Sequence, residues 1–395
     1  MARAFFFLPS HRLRAFSPKA PVRAHGGLGP FAVCLAFLAG LIGLFPAPAR
    51  AAAPEGAQAP KAYISLVIDD YKNLGVWETL AEDCAAKGVR ATLALNTLRV
   101  RPEDWKRLQA RIAQGHEVAS HTRDHVPLSA EEVLNVRYFA PNTRSATAVV
   151  DAAARKLRLF VNGAPTPIGD IDLSAAGPAS TLGDLARAIN KINGCAAQPI
   201  DPKYANIPSE LLAANPGADI LFKAGFVPLL LDHPRFVRYE LEASKREIEK
   251  NIPGYTCTSI VYPYLANDPE TRRIAQELGY TQGRTGENGS ISLTDPKGYD
   301  IMRIWAQMPR FLFGETSSPE FPGRVKAFVS DLKNKHGAVC IYAHAENEYS
   351  NEDWRKLVAL LTADPEVRLL TLREMAKAIR GVTVPGAGGM LHFKR

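Results

Sequence analysis

The residues that could do chemistry are two adjacent carboxylates and three histidines, each placed where a predicted strand ends. Asp69 and Asp70 follow the apolar run YISLVI, His121 and His125 follow HEVAS, and His344 ends AVCIYAH. One carboxylate with two imidazoles is a donor set that suits Zn²⁺ or a similar divalent ion and leaves positions for water. The second carboxylate can take a proton from that water, and a distant histidine can give one to a leaving group.

Each of these signals has a structural alternative when it stands alone. An Asp pair at a strand end is often a turn or a helix cap, and a His-x-x-x-His pair is more often a surface feature than a ligand pair. A single histidine such as His344 is commonly an interior residue with its hydrogen bonds satisfied. Their conjunction, each at a strand end, favours a metal site. The remaining histidines after the leader lack matched neighbours and are interpreted as structural: His116, His233, His336 and His392.

Short apolar strands alternate with amphipathic helices on both sides of a central interruption. Strands are predicted over 63–69, 89–95, 116–121, 258–264, 338–344 and 367–371, and helices over 77–87, 102–115, 239–251, 268–279, 353–364 and 372–380. This alternation, with nearly continuous apolar strands, predicts a parallel α/β sheet or barrel. The carboxyl ends of such strands share one rim, where these folds place their active sites.

The strand–helix rhythm breaks between the two halves. Residues 138–235 contain an alternating segment with an Asn162-Gly163 turn signal and a helix predicted over 180–194. We therefore predict a small inserted α+β lobe on a barrel loop. The barrel itself is assigned to 61–137 and 236–380, and 381–395 form a C-terminal tail.

The N-terminus has the layout of a secretory signal peptide, assigned to residues 1–51. A basic stretch precedes the apolar run 31–45, and Ala49-Arg50-Ala51 follows as a small-x-small cleavage pattern. The run is short for a membrane span, although an uncleaved anchor is the alternative. After the linker 52–61, the mature protein is expected to be periplasmic or secreted, with no stable membrane span.

Composition and charge exclude several other classes. The hydrophobic share of 46% and the charged share of 22% are those of an ordinary globular protein. Of the 48 basic residues, six lie within 1–51, where no acidic residue stands, so the net charge of +8 belongs mainly to the leader. No nucleic-acid partner is expected.

Cys84 and Cys340 are predicted buried thiols, whereas Cys195 and Cys257 could pair in an oxidising compartment.

The motifs resemble those of the polysaccharide deacetylases of carbohydrate esterase family 4, over about 61–137 and 236–380. The family's Asp-Asp motif is similar to VIDD at 67–70, and its His-Ser/Thr-x-x-x-His motif to His121–His125. Its Arg-x-Pro-Tyr motif is partly present as Val261-Tyr262-Pro263-Tyr264, and its Leu-x-His motif is reduced to 342–344.

What this resemblance implies is a distorted (β/α) barrel of the polysaccharide deacetylase type that hydrolyses acetyl groups of a sugar. Asp69 would be the general base. Asp70, His121 and His125 would hold a divalent metal, for which Zn²⁺ is favoured. The backbone N–H of Tyr264 would stabilise the oxyanion, and His344 would protonate the departing amine.

Two departures from the family pattern concern the support of these groups. The arginine that orients the base carboxylate in the family is Val261 here, and no clear fourth motif is found. Since a base near a metal needs a fixed orientation, we predict that Arg284 supplies it, with Arg303 as the second candidate.

The lobe segment 159–192 weakly resembles the insertion motif of flagellar hook-associated proteins. A generic hairpin and helix that shapes the groove, or binds a protein or glycan partner, is the alternative. For the whole chain we predict an exported metal-dependent hydrolase that removes acetyl groups, N-acetyl before O-acetyl, from a polysaccharide or cell-wall glycan. A catalytically impaired glycan-binding protein that retains the metal site is the main alternative, and a phosphodiesterase with the same metal set is a third.

Overall fold

The structure, a computed structural model, describes residues 60–221, 225–286, 292–344 and 348–394. The predicted signal peptide and nearly all of the predicted linker lie outside these ranges. Among the helices within them, none is long and apolar enough to cross a membrane.

The helices and strands run in the following order along the chain. The first half contains β1 (Ala62–Asp69), α1 (Leu74–Ala86), β2 (Thr92–Leu95), α2 (Asp104–Ala113), β3 (Glu117–Ser120), β4 (Glu132–Tyr138), β5 (Ala146–Asp151), β6 (Lys156–Val161), β7 (Gly169–Asp172), α3 (Leu182–Ile189), β8 (Cys195–Pro199), β9 (Asn215–Asp219) and β10 (Val227–Leu230). The second half contains α4 (His233–Asn251), β11 (Ser259–Val261), α5 (Pro269–Glu277), β12 (Gln282–Arg284), β13 (Ala306–Gln307), α6 (Pro309–Phe313), α7 (Phe321–Asn334), β14 (Ala338–Ala343), α8 (Asn351–Thr362), β15 (Val367–Leu369), α9 (Leu372–Val382), β16 (Thr383–Pro385) and β17 (Leu391–Phe393).

The main sheet is a nearly closed, distorted barrel of parallel strands, which confirms the predicted fold class. Its order is β12-β11-β3-β2-β1-β14-β13, and β15 pairs with the start of β1. A parallel bridge between Arg284 and Ile304, two residues before β13, joins the two ends of this order. Within the described part of the chain the ring thus has seven strands.

The barrel strands are mostly apolar because both of their faces are covered, although buried polar residues such as Glu117, Gln282 and Arg284 also lie on them. Every residue of β1 is buried, as is every residue of β2, β3 and β14. Strands enclosed between the barrel interior and an outer layer of helices need apolar side chains on both faces. Helices α3, α4, α5, α8 and α9 begin with side-chain caps, which are capping boxes at Ser350 for α8 and Thr371 for α9.

The interruption is an inserted α+β lobe, but it begins earlier than the 138 that the sequence analysis gives, because β4 (Glu132–Tyr138) belongs to a lobe sheet and not to the barrel. One antiparallel sheet has the order β10-β4-β8, another has the order β7-β6-β5-β9, and α3 contacts strands of both. Asn162 and Gly163 both have positive φ (53° and 68°) and begin the connection from β6 to β7. The Leu231 N–H donates to the Glu131 carbonyl at 2.8 Å, so the chain leaves and re-enters the barrel at one point.

The cysteines of the described residues are free thiols. Cys84, Cys195, Cys257 and Cys340 are all buried and unpaired. The pairing of Cys195 with Cys257 that the sequence permits is therefore not formed, because Cys195 lies on a lobe strand and Cys257 just before barrel strand β11. Burial raises the pKa of the Cys257 thiol to about 12, so this thiol is neutral at neutral pH.

Candidate active site and metal centre

The singled-out residues lie together at the carboxyl rim of the barrel. Asp69 is the last residue of β1, with Asp70 directly after it, and His121 directly follows β3. Arg284 is the last residue of β12, and His344 directly follows β14. Since these strands are parallel, their ends bring the five side chains to one edge of the sheet.

Three of these residues form a compact set of candidate metal ligands. One ligand atom from each of Asp70, His121 and His125 lies within 4.8 Å of the other two. The Asp70 Oδ1 atom is 3.2 Å from His125 Nε2 and 3.7 Å from His121 Nε2. A carboxylate oxygen and two imidazole nitrogens thus converge on one point, with coordination positions left for water.

His121 and His125 are kept in the neutral form, in which a ring nitrogen can donate its lone pair to a metal ion. His121 Nδ1 lies 2.8 Å from the Val261 carbonyl oxygen, so the Nδ1–H can donate there and Nε2 points to the cluster. Burial lowers the pKa of His121, and burial together with His121 lowers the pKa of His125 to about 4. Neutral imidazole is the form that binds a metal.

The unsatisfied atoms of this cluster fit a divalent cation. Asp70 Oδ1 is buried and has no hydrogen-bond partner, although it faces two imidazole nitrogens. Neutral imidazoles whose Nδ1 atoms carry the protons cannot donate to it from Nε2. A buried carboxylate oxygen left without a donor is costly, and a cation bound by all three groups would satisfy it. The donor set suits Zn²⁺ or Co²⁺ better than Mg²⁺ or Ca²⁺.

The loop that carries the two histidines is fixed from outside by Glu240, which the sequence analysis missed. Its Oε2 accepts the backbone N–H groups of Arg123 (3.1 Å) and Asp124 (3.0 Å). Burial and the neighbouring Asp124 raise the pKa of Glu240 well above its usual value. A Glu inside the apolar pattern of α4 was the available signal, because a buried carboxylate needs polar partners.

Several residues around the site have left-handed backbone conformations. Asp70, Thr122, His125, Tyr264 and Leu265 have φ values of 69°, 62°, 56°, 54° and 63°. Non-glycine residues adopt this region at a cost that the surrounding structure must offset. Because strained backbone conformations of this kind cluster at functional sites, their concentration at one end of the barrel indicates a functional site there.

The candidate base Asp69 is paired with Arg284. The Arg284 guanidinium donates from Nη2 to Asp69 Oδ2, and both side chains are almost fully buried. The guanidinium carbon also lies 4.4 Å from the centroid of the Tyr342 ring. The hydrogen bond from Arg284 fixes the direction in which the Asp69 carboxylate points.

Val261 is the neighbour of Arg284 across the sheet. The two residues pair in register on the parallel strands β11 and β12. Paired residues of parallel strands face the same side of the sheet, so the side chains at positions 261 and 284 point in the same direction. Arg284 is thus placed where an arginine at 261 would point, one strand further along.

The candidate acid His344 has its own carboxylate, Glu348, which the sequence analysis did not identify. His344 Nδ1 lies 3.0 Å from Glu348 Oε1, and the His344 backbone N–H donates to Oε2 at 2.8 Å. The hydrogen bond that Glu348 accepts from the ring raises the pKa of His344 above its ordinary value, against the effect of burial. His344 Nε2 is 3.9 Å from Asp69 Oδ2, so the acid and the base border the same space.

We expect Glu348→Gln to move the alkaline limb of the pH profile of kcat/KM to lower pH. The Glu348 carboxylate stabilises the imidazolium of His344, and an amide does not, so the pKa of His344 falls in the variant. The acid is then lost at a lower pH. Glu352→Gln, which removes an exposed carboxylate paired with Lys356, is the control. An unchanged alkaline limb would show that His344 does not titrate as the acid.

Tyr264 lies at the mouth of the site. The residue is 54% exposed, and the ring centroids of Tyr264 and His125 are 4.9 Å apart. A cavity of about 260 Å³ opens here, and Asp70, His125 and Tyr264 are among the residues that line it. The cavity gives a substrate access to the candidate metal ligands.

Comparisons with known proteins give structural similarities only. Neither protein-family models nor curated proteins match the sequence. Among solved structures, a family 4 acetyl xylan esterase from Clostridium thermocellum, in complex with a cobalt ion, is 10% identical with a TM-score of 0.39, covering 80% of this chain and 90% of that one.

Two further structures show the same kind of likeness. The carbohydrate esterase domain of a xylanase from the hindgut metagenome of Trinervitermes trinervoides is 11% identical with a TM-score of 0.39, covering 82% of this chain and 93% of that one. The peptidoglycan deacetylase PdaC of Bacillus subtilis is 12% identical with a TM-score of 0.34, covering 81% and 92%. The resemblance of the lobe to the flagellar insertion motif has no support from these comparisons.

Proposed function

We propose that this chain is a divalent-metal-dependent deacetylase that hydrolyses N-acetyl groups of a polysaccharide or cell-wall glycan. One observation carries the proposal: the ligand set Asp70, His121 and His125 lies beside a separate, arginine-held carboxylate and a histidine of raised pKa. A metal-binding role alone requires the first three residues. Hydrolysis of an amide requires a base and an acid as well, and Asp69 and His344 are suited to these two roles.

Each side chain has a distinct task in this reaction. A bound divalent ion would polarise the acetyl carbonyl and lower the pKa of a water molecule. Asp69, held by Arg284, takes the proton from the attacking water as the C–O bond forms. The backbone N–H of Tyr264 is proposed to donate to the oxygen that becomes negative.

His344 completes the reaction by donating the Nε2 proton to the sugar nitrogen. The C–N bond then breaks, and acetate and a free amine leave the site. Amines are poor leaving groups unless protonated, so a histidine whose cationic form is stabilised by Glu348 is suited to this step. The position of Nε2 next to Asp69 allows both proton transfers within one bound acetamide.

Export to the periplasm or beyond belongs to the same proposal and is supported by the leader-like sequence of residues 1–51. A glycan of the cell envelope would be accessible there. N-terminal sequencing of the exported protein tests this part, with a mature terminus near Ala52 as the expected result.

The catalytic proposal is tested by acetate release from a panel of acetylated glycans. The protein is first stripped of metal and then reloaded with Zn²⁺ or Co²⁺. We expect release only from reloaded protein, and a loss of about 10²- to 10⁴-fold in Asp69→Asn, the contribution of a general base. Stoichiometric metal binding without acetate release from any substrate would favour the impaired, glycan-binding alternative.

A further inference from the structure

The inserted lobe contributes a positive charge to the catalytic cavity. Lys203 belongs to a helical turn of the lobe over Pro202–Asn206, far from the barrel in sequence, yet it lines the same cavity as Asp70 and His125. Its Nζ lies 4.6 Å from the centroid of the Tyr264 ring, and that ring in turn contacts His125. The lobe therefore reaches across the rim to the candidate metal ligands.

Two basic residues of the barrel line the same cavity. Lys72 follows the Asp69-Asp70 pair, and Arg99 follows strand β2. Arg99 is exposed and has no ion-pair partner within the described residues. We call Lys72, Arg99 and Lys203 the cationic rim.

The acidic residues of the cavity are already engaged. Asp124 is bound by Arg123 at 3.1 Å, and Asp70 belongs to the ligand set. Asp201 pairs with Lys203 at 3.1 Å, but its side chain is 42% exposed, so the pair is weakened by water and salt. An ammonium group has three donors, which leaves Lys203 able to bind a second anion.

We propose that the cationic rim selects acetylated glycans that carry a carboxylate close to the scissile acetyl group. The inference rests on the proposed deacetylase function and adds its substrate class. Lys72 pairs with Asp70 at 3.5 Å and Lys203 with the exposed Asp201, whereas Arg99 has no acidic partner among the described residues, so a neutral acetylated sugar would leave at least the charge of Arg99 unmatched. A carboxylate would bind Lys203 and Arg99 and would be drawn in by the positive field of the cleft.

The test compares matched oligosaccharides of equal length. One is a neutral N-acetylhexosamine oligomer, the second alternates N-acetylhexosamine with uronic acid, and the third carries ether-linked lactyl groups. We expect higher kcat/KM for at least one carboxylated oligomer than for the neutral one. That advantage should shrink between about 20 mM and 500 mM NaCl, because salt screens exposed charges. The second and third oligomers distinguish a ring carboxylate from a lactyl carboxylate.

Variants of Lys203 separate charge from packing. Lys203→Met keeps the aliphatic stem against Tyr264 and removes the charge. We expect it to lower kcat/KM about 5- to 20-fold for the preferred carboxylated oligomer and by a clearly smaller factor for the neutral oligomer. Lys203→Arg should retain the preference. Lys191→Met, on an exposed part of the same lobe, is the matched control.

The possible failures can be told apart. Equal kcat/KM for neutral and carboxylated oligomers, or an equal loss for both in Lys203→Met, overturns the inference but leaves the deacetylase proposal intact. Absence of acetate release from every oligomer overturns the proposed function. In that case, calorimetric binding of the same oligomers still decides the inference, which predicts salt-sensitive, Lys203-dependent binding of a carboxylated oligomer.

Discussion

Asp70→Asn is expected to abolish metal-dependent acetate release, with a loss of at least about 10³-fold in turnover. Asp70 is the anionic member of the ligand set, and its Oδ1 faces both imidazole Nε2 atoms. Asparagine has almost the same shape and tolerates the positive φ of this position. The variant should therefore fold normally and lose the ion rather than the barrel.

Metal content and thermal stability provide readouts that do not depend on activity. Wild-type protein dialysed against Zn²⁺ should retain about one ion per chain and melt at a higher temperature than the metal-free form, because binding to the folded state stabilises it. Asp70→Asn should show neither effect. The control is Asp83→Asn, which alters an ion pair with Arg355 on the outer helices. A full complement of Zn²⁺ in the Asp70 variant would contradict the assignment of this ligand set.

The candidate metal ligands could be identified from the sequence because they stand next to the strongest patterns in the chain. Buried parallel strands read as continuous apolar runs, and β1, β3 and β14 end at Asp69, Ser120 and Ala343. Once those ends are predicted, the parallel topology alone brings the following polar residues to one rim. The fold class was predictable from the alternation of apolar strands with amphipathic helices. The inserted lobe was predictable from the interruption of that alternation.

The supporting contacts were harder to predict because they depend on register and on short elements. Strands β12 and β13 have only three and two residues, too few for a hydrophobic period to be detected. Helix α4 begins at His233 rather than 239, since Asp232 caps it and Pro234 occupies its first turn. Glu348 contacts His344 from four residues further along the chain, in a segment that shows no periodic sequence pattern. Glu240 contacts the histidine loop from 116 residues away.

The pairing of Asp69 with Arg284 gives the second large effect. Arg284→Met is expected to lower kcat about 100-fold with little change in KM, because a displaced base loses its alignment with the attacking water. Methionine fills much of the buried volume but donates no hydrogen bond, so Asp69 remains unpaired. Removal of one partner from a buried ion pair costs about 3–5 kcal/mol of stability, and the melting temperature should fall. Zn²⁺ content should stay at the wild-type level, since Arg284 is not a ligand.

A relocated arginine separates orientation of the base from a general loss of stability. Val261 pairs in register with Arg284 on the adjacent strand and is also fully buried. In Val261→Arg combined with Arg284→Ala, the small residue at 284 leaves room for a guanidinium that comes from β11 instead. We expect the kcat of this double variant to be at least about tenfold higher than that of Arg284→Ala, with acetate release measured at saturating metal. Val261→Arg alone should be overpacked and less stable. If Arg284→Met turns over at the wild-type rate with normal metal content, Asp69 needs no arginine, and the contact serves only to neutralise a buried charge.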